Sequence, residues 1–237
     1  MGRFRDGPTS QIASMKSIEE VLDAAAAEGH LTSGAAMDGP SHSTGFLAFS
    51  ELPDLTEPTV LAVDLGTGGG IPGLVLASRT LWHWSLVDRS ETRTAFLRWA
   101  VRSLGLEDRV EVILSDAVEV ARGALRSKAG VVTARGFASP ASTAECAAPL
   151  LEEGGLLMVS EPPISSEQPA ERVLEAGGVP WRWPAEGLSQ LGVEDLGGWL
   201  MDGATYRALR RIGMCPERFP RRFVRQIDEP LFGERRR

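Results

Sequence analysis

One acid and a series of glycines follow a short apolar run in the stretch VLAVDLGTGGGIPGLVLA, residues 60–77. Asp64 is followed by Gly66, Gly68 and Gly70 at every second position. Glycine permits positive φ angles and removes the side chain that would keep a ligand away from the backbone. A carboxylate beside such a loop attracts cations and hydroxyl groups. The stretch therefore predicts a loop over which a nucleoside-containing ligand lies.

Two ligands fit this loop. The G-x-G-x-x-G string of dinucleotide-binding folds is present at Gly68, Gly70 and Gly73, but the string alone is weak evidence. The acid-x-G-x-G-x-G pattern of an S-adenosylmethionine site in class I methyltransferases fits Asp64, Gly66, Gly68 and Gly70. In that second case the carboxylate would lie near the ammonium of the methionine part.

Two further acids follow the next apolar runs of the chain. Asp88 ends WSLVD, where a carboxylate can accept hydrogen bonds from both ribose hydroxyls of either ligand. Asp116 lies in ILSDAVEV, at a position where methyltransferases commonly hold the adenine. Acids at three successive strand ends favour S-adenosylmethionine. The alternative is that each acid is a helix N-cap or a turn residue.

A parallel sheet would bring these residues to one edge. Apolar runs alternate with amphipathic stretches, which predicts an α/β fold with helices on both faces of the sheet. The predicted strands are 60–64, 83–87, 109–114, 130–134 and 155–160, with a last strand near 205–212. The predicted helices are 72–79, 90–104, 117–126 and 139–151.

The two ends of the chain are less regular than this centre. Residues 18–28 form a helix candidate, and TSGAAMDGPSHST after it is interpreted as a loop. PWRWP and GLSQLGVEDLGGWL are interpreted as strand ends and loop. We expect an N-terminal helical appendage (1–58), a catalytic domain (59–215) and a basic C-terminal tail (216–237).

Composition excludes several classes of protein. The chain has 237 residues, 43% of them hydrophobic, which is enough for a substantial core. No apolar run is long enough for a membrane span and the N-terminus has no signal-peptide core, so we expect a cytoplasmic protein. Cys146, Cys215 and three histidines show no ligand spacing, which predicts that no metal is bound. Both cysteines are expected to be buried or inert.

Charge is distributed unevenly along the chain. The net charge is -7, yet residues 206–237 contain ten arginines and four acids, leaving -13 on the remainder. An arginine-rich end is either a solvated tail or a surface that contacts phosphate. Taken alone, this pattern leaves both interpretations open.

Four stretches of the chain are DLGTGGGIPGLVLA, LVDRSETRTAFL, VVTARGFAS and PERFPRR. Together they resemble the glucose-inhibited division protein B (GidB, RsmG) family of small-subunit ribosomal RNA guanine-N7 methyltransferases. The resemblance covers roughly residues 60–225. It implies a Rossmann-like class I fold with a seven-stranded sheet, and S-adenosylmethionine as cofactor. It also implies that Gly66 and Ile71 contact the cofactor, that Ala117 and Val118 lie along the adenine, and that Arg135 reaches cofactor and target.

Several positions depart from the family's pattern. The N-terminal part of the chain has only weak similarity to the family's Asn-Leu-Thr and His-x-x-Asp-Ser-Leu motifs. Gly45 stands where an aspartate is expected. Thr92 and Arg93 replace Lys-Arg, and Glu161 replaces the lysine of a Lys-Gly pair. A glutamate at the rim of the site would repel phosphate. A methyltransferase acting on a small molecule and a cofactor-binding protein without catalysis therefore remain as alternatives, with a nicotinamide oxidoreductase more distant.

The expected chemistry needs no general base, because guanine N7 carries a lone pair and no proton. The catalytic residue is thus unknown, and Arg135 is the candidate on the target side. Arg218, Arg221 and Arg222 are expected to contact ribosomal RNA or the small subunit. Trp181 and Trp183 are candidates for stacking on a base, whereas the other tryptophans are expected to pack in the core.

Overall fold

One sheet organises the part of the chain that the structure, a computed structural model, describes: residues 15–162 and 182–233. Its strands are β1 (Leu61–Leu65), β2 (His83–Asp88), β3 (Val110–Leu114), β4 (Ala129–Arg135), β5 (Leu151–Ser160), β6 (Val193–Met201) and β7 (Ala204–Arg211). They lie in the order β3-β2-β1-β4-β5-β7-β6. β1 to β5 pair in parallel, and β7 runs antiparallel between β5 and β6. The predicted mostly parallel seven-stranded sheet is confirmed.

The helices connect and flank these strands. They are α1 (Ile18–Ala27), α2 (Ser33–Thr44), α3 (Gly73–Arg79), α4 (Glu91–Ser103), α5 (Ala117–Arg122), α6 (Pro140–Ala147), α7 (Ala185–Ser189) and α8 (Phe223–Asp228). Ser90 and Ser139 cap α4 and α6, each accepting a hydrogen bond from the N–H three residues on. α5 and α6 end earlier than predicted; at α5 the reason is that Gly123 leaves the helical conformation.

Alternate residues of the central strands enter two apolar cores. Val63 and Val132 pack with α5 and α6 on one face of the sheet. Ala62 and Val131 pack with α1, α3 and α4 on the other face. Successive side chains of a strand point to opposite faces, so each strand contributes to both cores. Helices on both faces are thereby confirmed.

α2 occupies the stretch that we expected to be a loop. Thr32 caps it by accepting a hydrogen bond from the N–H of Ala35 at 3.1 Å. Its glycines and Pro40 are poor helix formers, which is why the sequence indicated a loop. Tertiary packing overrides that tendency: Gly39 lies so close to Ile71 that a Cβ there would overlap the isoleucine side chain. α2 therefore covers the glycine loop.

α7 and β6 overlap the stretch GLSQLGVEDLGGWL, for which the sequence predicts strand ends and loop. β6 pairs along its length with β7, and the register shifts between Asp195 and Gly197. Gly197 has φ +93°, a conformation that suits such a bulge. The sequence did not indicate this strand because it contains two adjacent glycines, Gly197 and Gly198, and glycine is unfavourable in strands. Its pairing with β7 stabilises it as a strand.

The N-terminal helices share a core with the sheet. Val21 and Ala25 of α1, together with Phe46, belong to the same apolar cluster as Ala62 of β1. The division into residues 1–58, 59–215 and 216–237 stays a prediction. In the described ranges, no helix has the length and apolar character that a membrane crossing requires.

Candidate cofactor site

A cavity of about 230 Å³ lies where the central parallel strands end at their carboxyl termini. Ligands of open α/β sheets bind at this edge. Four of the residues predicted for the site line it: Gly66, Asp88, Asp116 and Ala117. The ends of β1, β2 and β3 thus meet around one space.

Gly66 is the residue of the glycine loop that lines the cavity, and Gly68 follows it in the loop. Gly66 and Gly68 have φ +69° and +60°, which favour glycine. A Cβ at Gly66 would lie 2.8 Å from Cδ2 of Phe137, so a larger residue would push that ring away. At Gly68 a Cβ would meet only a carbonyl oxygen at 3.8 Å, so that the backbone there is open to a ligand.

Asp88 is nearly buried at the end of β2 and turns its carboxylate towards the loop. Its Oδ2 accepts the Gly68 N–H at 2.9 Å, and its Oδ1 accepts the Ser90 N–H at 2.9 Å. Arg93 lies 3.8 Å from Oδ2. Each carboxylate oxygen keeps a further lone pair for a ligand. The predicted bonds from Asp88 to two ribose hydroxyls are compatible with this position.

Asp64 is enclosed by the protein and does not line the cavity. Its Oδ1 accepts the Thr133 hydroxyl at 2.7 Å, and its Oδ2 accepts the Gly73 N–H at 3.0 Å. Burial raises the pKa of Asp64 to about 6, and these hydrogen bonds oppose the rise. This placement differs from the expected one beside a ligand ammonium: the carboxylate fixes the loop between β1 and α3.

Asp116 is both an N-cap and a cavity residue. Its Oδ1 accepts the Val118 N–H at 2.8 Å at the start of α5, and Ala117 beside it lines the cavity. Val118 is buried and lines a neighbouring groove with Asp116, not the cavity itself. The two interpretations of Asp116 are therefore not exclusive.

Two other predicted cofactor residues are in the second half of the loop and face apolar side chains. Gly70 faces the side chain of Leu74, and Ile71 packs against Leu22 and Ala36 in a small apolar cluster. Neither lines the cavity. Side chains of α1 and α2 cover this side of the loop and bury it. Direct contact of Gly70 or Ile71 with a cofactor therefore stays a prediction.

Arg135 ends β4 next to the cavity residue Gly136 and is half-buried. It forms no hydrogen bond or ion pair with another residue of the described ranges. Ser160 is its register partner on β5, and the Ser160 hydroxyl lies 2.9 Å from Nε2 of His42. Burial lowers the pKa of His42, the positive charge of Arg135 lowers it further, and Asp38 opposes both. Arg135 and His42 thus both lie next to Ser160 at the end of β4 and β5, beside the cavity residue Gly136.

Sequence reasoning missed two aromatic residues of the cavity, Phe137 and Phe223. Their ring centroids lie 6.4 Å apart at 68°, an edge-to-face arrangement. Phe137 lies within the motif VVTARGFAS, and Phe223 directly follows the motif PERFPRR. The signal that could have revealed Phe137 is its place directly after a glycine at a strand end.

Comparison with known proteins agrees with this geometry. Residues 42–171 match the model of the GidB family, described as rRNA small subunit methyltransferase G. The chain belongs to this family. It is 33% identical over 175 residues to a Ribosomal RNA small subunit methyltransferase G from Deinococcus deserti, covering 72% of this chain and 68% of that protein. A protein of the same name from Pelotomaculum thermopropionicum is 34% identical over 166 residues, or 68% of this chain and 65% of the relative.

A solved structure supports the fold independently. P. horikoshii TYW2 in complex with MeSAdo superposes with a TM-score of 0.53 at 16% identity, covering 76% of this chain and 64% of that one. Family membership decides between the two ligands of the glycine loop. This member of the methyltransferase G family is S-adenosylmethionine-dependent, and its loop and Asp88 have room and acceptors for that cofactor.

The arginines predicted to contact RNA do not form one group in this family member. Arg221 donates to both oxygens of the buried Glu145, at 2.8 and 2.7 Å. That pairing corrects our expectation that Arg221 is available to phosphate. Arg218 is exposed and lies over the Phe219 ring at 4.8 Å, and Arg222 is exposed beside the cavity wall.

Glu161 is not the repulsive rim charge that we expected. It is buried and accepts hydrogen bonds from Arg182 and from the Trp183 indole N–H, with Arg207 Nε 3.7 Å away. Trp183 is itself buried, which corrects its assignment as a base-stacking residue. Trp181 lies outside the described residues.

The cysteines are structural in this fold. Burial raises the pKa of Cys146 to about 12 and also raises that of Cys215, so neither is a ready thiolate at neutral pH. Both are buried, as expected. Among the residues that the structure describes, no three His, Cys, Asp or Glu side chains are grouped as metal ligands.

Proposed function

We propose that the chain transfers the methyl group of S-adenosylmethionine to N7 of a guanine in small-subunit ribosomal RNA. The observation that carries the proposal is that the region matching the family model, residues 42–171, contains every residue lining the cavity except Phe223. The named relatives are ribosomal RNA small subunit methyltransferases. Such a substrate would also place the protein in the cytoplasm.

The bound cofactor would supply a methyl group on a positively charged sulfur. Asp88 would hold the ribose by accepting its hydroxyls, and the bare backbone at Gly68 would let the ligand approach closely. Guanine N7 is a lone-pair nucleophile without a proton, so these residues need only align the reactants and exclude water. No general base is required of the chain.

The target guanine would enter on the β4–β5 side, beside Arg135 and His42. Arg135 has N–H donors that suit guanine O6 and are not used by a neighbour in the described ranges. Burial and Arg135 lower the pKa of His42, which keeps it neutral at pH 7. A neutral ring adds no second positive charge beside a base that becomes cationic on methylation.

The alternative of a small-molecule substrate has lost one of its supports. Among the departures from the family pattern, Glu161 was the expected repulsive charge, and it is neutralised within the fold by Arg182 and Arg207. The exposed Arg218 and Arg222 are the proposed contacts to RNA phosphate. The salt dependence of RNA binding tests whether these arginines contact phosphate.

The deciding experiment incubates the chain and labelled S-adenosylmethionine with small ribosomal subunits that lack the modification. We expect 7-methylguanosine in the digested RNA. Arg135→Gln should lower the rate at least tenfold, by roughly the discrimination of one base contact. Arg102→Gln, at an exposed site on α4, is the matched control and should not. Label in a small molecule only, or in a different nucleoside, would refute the proposal.

A further inference from the structure

The cofactor cavity has an aromatic wall from a distant part of the chain, the C-terminal segment of residues 215–228. Phe223 of this segment lines the cavity together with Asp116 and Ala117. It also lines the adjoining groove with Asp116, so its ring separates the two spaces at the β3 side. The Phe223 side chain is only partly buried, although the residues around it are held by hydrogen bonds and ion pairs.

Long-range bonds fix this segment on both sides of Phe223. Before it, Arg126 donates to the Phe219 carbonyl at 2.8 Å and Arg122 to the Pro220 carbonyl at 2.8 Å. Arg221 pairs with the buried Glu145. After it, the buried side chain of Gln226 lies 3.6 Å from Sγ of Cys146, 80 residues away, and donates locally to the Arg221 carbonyl at 2.8 Å. A ring held this way and still open on one face is suited to contact a ligand.

The position of Asp88 indicates which part of the ligand meets this ring. Asp88 ends β2, between β3 and β1, and its carboxylate suits the ribose hydroxyls. The glycine loop after β1 lies on one side of it, and Asp116, Ala117 and Phe223 lie on the other. An apolar alanine, an aromatic ring and an acceptor together suit a flat base that carries an amino group. Asp116 uses Oδ1 for its own helix, which leaves Oδ2 available to the amino group.

We propose that Phe223 is a cofactor-binding residue whose ring packs on the adenine of S-adenosylmethionine and closes the β3 side of the cavity. The inference rests on the cofactor site of the proposed function, not on the RNA substrate. Phe137, edge-to-face with Phe223, supports the ring from the loop side. Arg122, Arg126 and Arg221 act as positioning residues through the backbone that carries Phe223.

Calorimetry with two probes tests the contact. S-adenosylhomocysteine carries the whole ligand without the methyl group, and methylthioadenosine lacks the amino-acid arm. Phe223→Ala should weaken binding of both by about the same factor, roughly 5- to 100-fold for loss of stacking on a base. Phe223→Tyr should retain binding within about threefold because it keeps the aromatic face.

Two further variants separate the contact from general damage. Val224→Ala changes the neighbouring, 71% exposed side chain and should bind both probes as the wild type does. Phe223→Leu keeps apolar packing without an aromatic face, so it should fold with the wild-type melting temperature and still lose affinity.

Unchanged affinity in Phe223→Ala, or a loss confined to S-adenosylhomocysteine, would overturn the proposal. Full binding by Phe223→Leu would show that packing alone matters and would overturn it as well. Since no RNA is present, these outcomes are independent of whether the ribosomal substrate is correct.

Discussion

The glycine loop (residues 64–73) and the C-terminal segment both border the cofactor cavity, but they are held in place differently. In the loop, two backbone N–H groups bond to acids near them in sequence: Gly73 donates to Asp64, nine residues away, and Gly68 donates to Asp88, twenty residues away. The segment is fixed by Arg221 to Glu145, 76 residues away, and by Arg122 to Pro220, 98 residues away.

This difference explains why one region is visible in the sequence and the other is not. Short-range bonds leave a motif of fixed spacing, so the acids and glycines of the loop can be read together. Long-range pairs leave two unrelated residues, each of which resembles a surface charge when read alone. For this reason the sequence predicted that Arg221 contacts phosphate, whereas in the structure it pairs with Glu145.

The largest expected effect is at the cavity side of the loop. Asp88→Ala should weaken S-adenosylhomocysteine binding by about 100-fold or more, because two hydrogen bonds to a charged acceptor are lost. It also frees the Gly68 N–H, which loosens the loop. Glu91→Ala, at an exposed acid on α4, is the calorimetric control. A change of less than threefold for Asp88→Ala would mean that the carboxylate serves the loop alone.

The next effect is at the buried side of the same loop and depends on pH. The pKa of Asp64 is about 6 in the folded chain against an ordinary 3.8, so the folded state holds the proton more tightly. Its contribution to stability is therefore present below pH 4 and lost as pH rises towards 6. Relative to Asp64→Asn, the wild-type free energy of unfolding should fall by up to about 3 kcal/mol between pH 4 and 7.

Urea titrations across this pH range measure the difference. Thr133→Val removes a hydrogen bond that favours the ionised form, so it should shift the transition to higher pH. A wild-type curve parallel to that of Asp64→Asn at every pH would contradict the assignment.

The smallest effect distinguishes two adjacent arginines of the C-terminal segment. Arg222→Gln should reduce the slope of log affinity for ribosomal RNA against log salt by about 0.7 to 0.9, the value of one phosphate contact. Arg221→Gln should leave that slope unchanged and lower the melting temperature, because it leaves Glu145 buried without its partner. Equal slopes in the wild type and Arg222→Gln would identify a solvated tail at this position.

The sequence by itself determined the repeating strand–helix order, the glycine loop, and the acids that meet at the sheet edge. Periodicity and strand-end chemistry are local properties, so Asp88 and Asp116 were found together with their positions in the cavity. Tertiary structure alone decided the rest. It made a helix of the glycine- and proline-containing α2, because the helix packs on Ile71. It enclosed Asp64 and Glu161, because their partners come from other strands and turns. It brought Phe223 to the cofactor cavity through Glu145 and the carbonyls that bind Arg122 and Arg126, contacts that exist only once the chain has folded.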